Sequence, residues 1–183
     1  MNDYGEAVES ASIRIERLLP GPIERVWAYI TDVDKRATWL AGGKLEPHVG
    51  GRTEHVFRIH ELTGEGDPHQ IADRRHGQVL DWDPPRLLRH TWSSTGEDAD
   101  SEVTFTLESI DDKVRLIVTH RRLPTRDEMI SIASGWHAHL DILQARLEHL
   151  TPEQFWPKLH ALQSDYETML PPFDLAPTPP PET

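Results

Sequence analysis

Apolar residues follow two rhythms along this chain. From residue 12 to residue 121 they mostly alternate with polar ones, the signature of strands with one buried face. From residue 126 onward they recur every third or fourth position, the signature of helices with one apolar stripe. The alternating part predicts strands at Ser12 to Leu19, Arg52 to Glu61, His76 to Trp82, Arg86 to Trp92, Ser101 to Ile110 and Lys113 to Arg121, with a weak extra candidate at Lys44 to His48. Turn chemistry separates them: Gly50-Gly51, a polar stretch from Gly64 to His69, Asp83-Pro84-Pro85, an acidic turn over 95–100, and the two-residue connection Asp111-Asp112. Such short spacings favour antiparallel neighbours.

The helical rhythm also interrupts the strands once, early. After Pro20-Gly21-Pro22, the residues Ile23, Val26, Trp27 and Ile30 fall at helix spacing, and a second short helical piece follows from Asp34 to Trp39, ended by Gly42-Gly43. The long helix is expected over 126–150, where Met129, Ile132, Trp136, Leu140, Leu143, Leu147 and Leu150 form the stripe. Thr125 with Glu128 three residues on makes a capping box. Thr151-Pro152-Glu153-Gln154 reads as another helix start, and Phe155, Leu159, Leu162, Tyr166 and Met169 continue at helical spacing until Pro171-Pro172. The expected organisation is a disordered leader (1–11), one domain (12–150), an additional helix (151–170) and a disordered Pro-rich tail (171–183). The fold class is α+β: a curved antiparallel sheet of six or seven strands wrapped on a long C-terminal helix, with two short helices after the first strand.

Alternation places His55, Phe57, Leu88, His90, Trp92, Phe105, Leu116, Val118 and His120 on the inward faces of their strands. With Ile132, Trp136 and Leu140 from the helix stripe, they are the candidate ligand-binding residues. Apolar walls carrying a few placed polar groups are what a small-molecule cavity needs. The imidazoles are suited to orient a ligand or move a proton near neutral pH, and His120, at the end of the clearest strand, is the candidate acid/base. The alternative for each is a core histidine bonded to its neighbours. Three inward imidazoles also match a zinc donor set, but no close ligand spacing or H-E-x-x-H motif accompanies them, so no metal is expected. His137 and His139 flank the stripe and are expected at its edges or exposed. Arg17 shares the parity of Ile13 and Ile15, which predicts an inward guanidinium paired with an acid. Trp27, Trp39, Trp92 and Trp136 fall on apolar faces, as core filler or as stacking surfaces.

Composition narrows the classes. The 183 residues carry 19 basic and 31 acidic side chains, a net charge of −12, and no basic cluster. That balance argues against phosphate-backbone binding and against docking on anionic lipid. Cysteine is absent, which excludes disulfides and thiolate chemistry. No apolar run approaches a membrane span and the first ten residues lack a signal-peptide core, so a cytoplasmic protein is expected. No nucleophile elbow, phosphate loop or dinucleotide fingerprint is present, so no cofactor is expected. The acidic run Glu97-Asp98-Ala99-Asp100 lacks calcium-loop periodicity and reads as a solvated turn.

The order of elements and several short motifs resemble the SRPBCC (START-like) superfamily, and within it the family of activator of heat-shock protein 90 ATPase homologues, C-terminal-domain type. The carriers are Pro22-Ile23-Glu24-Arg25-Val26-Trp27, Thr31-Asp32 before Trp39, Gly50-Gly51-Arg52, Gly77-Gln78-Val79-Leu80, Asp83-Pro84-Pro85-Arg86-Leu87-Leu88, Thr91-Trp92, Ser101-Glu102-Val103-Thr104-Phe105, Val118-Thr119-His120 and Gly135-Trp136, with Leu140-Asp141 and Leu143 after it. The resemblance spans residues 12 to 150 and implies the helix-grip fold. It leaves function open, because that scaffold hosts binding proteins, cyclases and co-chaperone domains. The favoured expectation is a binding protein for a hydrophobic or aromatic small molecule. Alternatives are a cyclase or hydrolase using a cavity histidine, and a protein-interaction or chaperone-regulator module. A homodimer docking through Phe155, Leu159 and Leu162 of the additional helix is a further possibility, set against packing of that helix on its own domain.

Overall fold

Asp111 and Asp112 close a two-residue hairpin between two long strands, with Asp111 in the left-handed region at φ 54°. This hairpin lies near the middle of a seven-stranded antiparallel sheet. A computed structural model describes residues 3–9, 11–64, 72–94 and 101–170. The strands are β1 (Glu6–Glu9), β2 (Ser12–Pro20), β3 (Arg52–Phe57), β4 (Asp73–Asp83), β5 (Leu87–Trp92), β6 (Ser101–Ile110) and β7 (Lys113–Arg121), and their spatial order is β1-β2-β7-β6-β5-β4-β3. Between β2 and β3 come α1 (Ile23–Thr31) and α2 (Val33–Ala37). A short α3 (Ile59–Thr63) follows β3, and α4 (Arg126–Leu147) and α5 (Phe155–Met169) end the fold. This is the helix-grip arrangement expected from the sequence.

Local chemistry explains the elements. Asp32 accepts hydrogen bonds from the Asp34 and Lys35 amides and so starts α2. At α4 the capping box is complete: the Glu128 amide donates to Thr125 Oγ1, and the Thr125 amide donates to Glu128 Oε2. The sheet curves where β4 changes partner, pairing with β3 through Gln78 and with β5 from Val79 onward, with a register shift between Val79 and Asp81. Gly77 sits at this bend. A Cβ there would lie 1.9 Å from the Thr91 carbonyl oxygen, so only glycine lets the two backbones approach.

The core lies between the concave face of the sheet and α4. Leu88, Val103, Phe105, Leu116 and Val118 from the strands meet Leu140, Leu143 and Leu147 from the helix, all buried. A second layer, α5, covers another flank of α4 through Phe155, Leu162 and Tyr166.

Four expectations need correction. Residues 6–9 of the expected leader form the edge strand β1, paired antiparallel to β2. The third strand stops at Phe57, and Ile59, expected to continue the alternation, starts α3 instead. Leu45 makes only an isolated bridge to Thr53, so Lys44 to His48 is not a strand. Thr151 does not cap α5, which begins at Phe155 after Gln154, with no side-chain cap bond. The acidic run at 97–100, the tail 171–183, residues 1, 2 and 10 of the leader, and most of the 64–69 loop lie outside the described residues. Among the described residues, no helix is long and apolar enough to cross a membrane.

A candidate ligand-binding site under α4

Five rings surround the Trp92 indole at the end of β5. Its centroid lies 4.7 Å from His55, 6.0 Å from His90, 5.7 Å from His120, 6.0 Å from Phe57 and 5.7 Å from Trp136. The three inward histidines therefore do come together, with His55 and His90 stacked at 5.1 Å. The reason is registry: His90 pairs with Val103 and Val103 with His120, so the two imidazoles flank one position of β6 on the same face.

The bonding of His120 defines its protonation. The Trp136 Nε1–H, which can only donate, gives its hydrogen to His120 Nδ1 at 3.0 Å. In neutral His120 the proton is then on Nε2, which donates to Ser101 Oγ at 2.7 Å, and Ser101 Oγ donates on to the Trp92 carbonyl at 3.3 Å. Both ring nitrogens are used inside the fold. Burial pushes the imidazole down to about 3, with the nearby His90 adding to the shift. His90 donates from Nδ1 to the Thr91 carbonyl at 2.9 Å, and burial holds it at about 4. Burial also drives His55 well below its ordinary value, aided by the Arg36 guanidinium. Arg36, itself buried, donates to the carbonyls of Ala41, Gly42 and Glu54. All three histidines are neutral at pH 7. Among the described residues, no group of three or more His, Asp or Glu is placed to hold a metal ion.

An open hollow of about 140 Å³ adjoins this cluster, beneath the N-terminal half of α4. Phe57, Trp92, Ile132 and Trp136 line it, joined by Leu40 and His139. Gly135 forms part of its wall, and a Cβ built there would meet nothing within 4 Å beyond its chain neighbours and its own helix backbone. Asp73 and Arg75, paired at 2.5 Å, stand at the rim. A neighbouring hollow of about 190 Å³ shares Arg75, Trp92, Ser131 and Ile132 and adds the polar side chains of Ser94, Ser101 and Glu128. A larger hollow of about 250 Å³ lies elsewhere, at the C-terminal end of α4, where Asp141, Glu153 and Lys158 are already paired.

The twelve candidate residues thus divide. Phe57, Trp92, Ile132 and Trp136 line the hollow. Leu88, Phe105, Leu116, Val118 and Leu140, all at 2% exposure or less, are packed in the core and do not border it. His55, His90 and His120 support its wall from behind.

Residues 20–148 match the family model described as Activator of Hsp90 ATPase homolog 1-like protein. The chain belongs to this family. A protein from Bordetella parapertussis, solved by NMR, is 42% identical, with a TM-score of 0.76 over 92% of this chain and 91% of that one. CalU16 from Micromonospora echinospora has the same fold at 22% identity, with a TM-score of 0.65 over 91% of this chain and 94% of that one. DynU16, assigned to the dynemicin biosynthetic locus, has it at 23% identity, with a TM-score of 0.62 over 79% of this chain and 50% of that one. No curated protein matches. Within this SRPBCC family, the helix-grip fold is one suited to holding a ligand between sheet and helix.

Sequence reasoning missed His139. The expectation places it at the edge of the helix stripe or exposed, yet it is 5% exposed, donates from Nδ1 to the Trp39 carbonyl at 2.8 Å, and lines the hollow. Burial takes it down to about 4, against the raising effect of that carbonyl. His137 is buried too, with Nδ1 3.1 Å from the Tyr166 hydroxyl. Both are covered because α4 is enclosed on two sides, by the sheet and by α5. The signal available was the apolar content of α5, which had to bury its own stripe on something. Arg17 met its expectation: it is 2% exposed and pairs with Asp141 at 3.0 Å. Phe155 and Leu162 of the proposed dimer face are buried in their own domain.

Proposed function

We propose that this family member is a binding protein for a hydrophobic, aromatic small molecule, seated in the hollow between α4 and the β3–β5 end of the sheet. The observation that carries this reading is Gly135. A glycine inside a helix costs about 0.5–1 kcal/mol relative to alanine. Here neither a left-handed backbone nor a close neighbour calls for it. The missing side chain leaves room among Trp92, Ile132 and Trp136. A hollow of about 140 Å³ is close to the size of an engineered apolar cavity that takes benzene, so about one aromatic ring fits. The flanking indoles offer faces and edges for stacking.

Positioning of the wall, not turnover, is the role assigned to His120. Its two nitrogens hold Trp136 and Ser101, and its basicity is far below what a general base at pH 7 requires. The imidazoles fix the indoles that form the wall.

Titration calorimetry with indole tests the proposal. Saturable binding is expected for the natural sequence, and Gly135→Leu, which fills the hollow from a position with free space, is expected to abolish it without loss of thermal stability. Unchanged binding in Gly135→Leu, or none in the natural sequence, contradicts the reading.

A further inference from the structure

We propose that α5 is part of the same binding site, and that the ligand is an elongated, uncharged molecule with two ring systems, one under α4 and one against α5. This rests on the reading above and adds the ligand's length and charge.

Size is the first reason. The hollow under α4, at about 140 Å³, falls short of the ~300–1,000 Å³ of most small-molecule pockets. A second hollow of about 210 Å³ lies beside it and shares Phe57 and Asp73 with it. Its other apolar walls are Ile59 of α3 and Phe155, Trp156 and Leu159 of α5. Taken together, the two reach the usual range.

Continuity is the second reason. The ring series Trp136, Trp92, Phe57, His139, Phe155, Trp156 runs from one hollow to the other, with successive centroids 5.7, 6.0, 5.7, 4.9 and 5.3 Å apart. A continuous wall of rings, its one imidazole already bonded through Nδ1 to the Trp39 carbonyl, matches a ligand that is itself aromatic along its length. Phe57 and His139 stand at the junction, in both cases touching rings on either side.

Charge is the third. Of the ionisable residues lining the second hollow, Arg58 is paired with Glu61 at 3.6 Å, Asp73 with Arg75 at 2.5 Å, and His60 lies 3.8 Å from the same Glu61. An uncharged ligand leaves both pairs in place. Polar atoms on the ligand would be hydroxyls or carbonyls. Because α5 lies outside the matched segment 20–148, the second hollow adds length selectivity to the family's domain.

Fluorescence titration of the full chain with indole as the short probe and 4-hydroxystilbene as the long one tests this. The natural sequence is expected to bind 4-hydroxystilbene about tenfold or more tightly than indole, a difference of the size one well-packed ring supplies. Trp156→Ala, and independently Leu159→Ser, both at half-buried positions, are expected to remove that advantage and leave indole affinity unchanged. If indole binds but the long probe gains nothing, or keeps its advantage in both variants, the extension into α5 is overturned while the site under α4 stands. Absence of indole binding overturns the underlying reading and this inference with it.

Discussion

The indole Nε1–H of Trp136 donates to His120 Nδ1 at 3.0 Å, tying α4 to β7 through two side chains that are both buried. This bond orients the indole face that lines the hollow and selects the imidazole tautomer. His120→Ala leaves the Trp136 donor without its partner and opens a void. Losing a buried partner costs about 1–3 kcal/mol, and the void adds to it, so a destabilisation of about 2–4 kcal/mol is expected. Urea unfolding of the variant measures it.

Acid should unfold the protein earlier than its carboxylates alone dictate. His90 and His137 titrate at about 4 in the fold, His139 at about 4 and His120 at about 3, against an ordinary 6.5, all chiefly because burial disfavours the cation. Between those values the unfolded chain binds protons that the folded chain refuses. Stability is therefore intact above pH 6.5 and drains as pH falls toward 4, by up to about 1.4 kcal/mol per pH unit for each such histidine. Urea midpoints between pH 7.5 and 4.5 check this. A flat profile down to pH 5 contradicts it.

Two glycines should respond in opposite directions. Gly135→Ala gains helix propensity in open space and is expected to stabilise by about 0.5–1 kcal/mol. Gly77→Ala puts its methyl carbon 1.9 Å from the Thr91 carbonyl oxygen, so β4 and β5 must part at the bend. Its melting temperature is expected to drop markedly, whereas that of Gly135→Ala rises.

The elements were legible where local chemistry and periodicity agree. Thr125 and Glu128 marked the start of α4, and the inward parity of His55, His90 and His120 followed from alternation alone. That parity does not distinguish a cavity wall from packed core, which is why Leu88, Phe105, Leu116, Val118 and Leu140 were grouped with the residues of the hollow. Their burial depends on how far α4 sits down on the sheet, a distance no single strand encodes. Ile59 shows the converse limit: its alternation extends β3 on paper, but the chain turns into α3 to meet α5. The edge strand β1 was missed because Glu6-Ala7-Val8-Glu9 is short and does not alternate apolar with polar, and its pairing with β2 uses backbone groups. His139 was misplaced because a periodic stripe describes one buried face, and α4 has two.

The most direct test of a ligand seat under α4 is an NMR titration with naphthalene, following the indole Nε1–H signals of Trp92 and Trp136 and the amides of α4. Saturable shifts at Trp92, Trp136, Ile132 and Gly135, with Leu143 and Leu147 unmoved, are the expected result. Shifts confined to Asp141 and Lys158 at the far end of α4, or no saturating shifts at all, contradict the assignment.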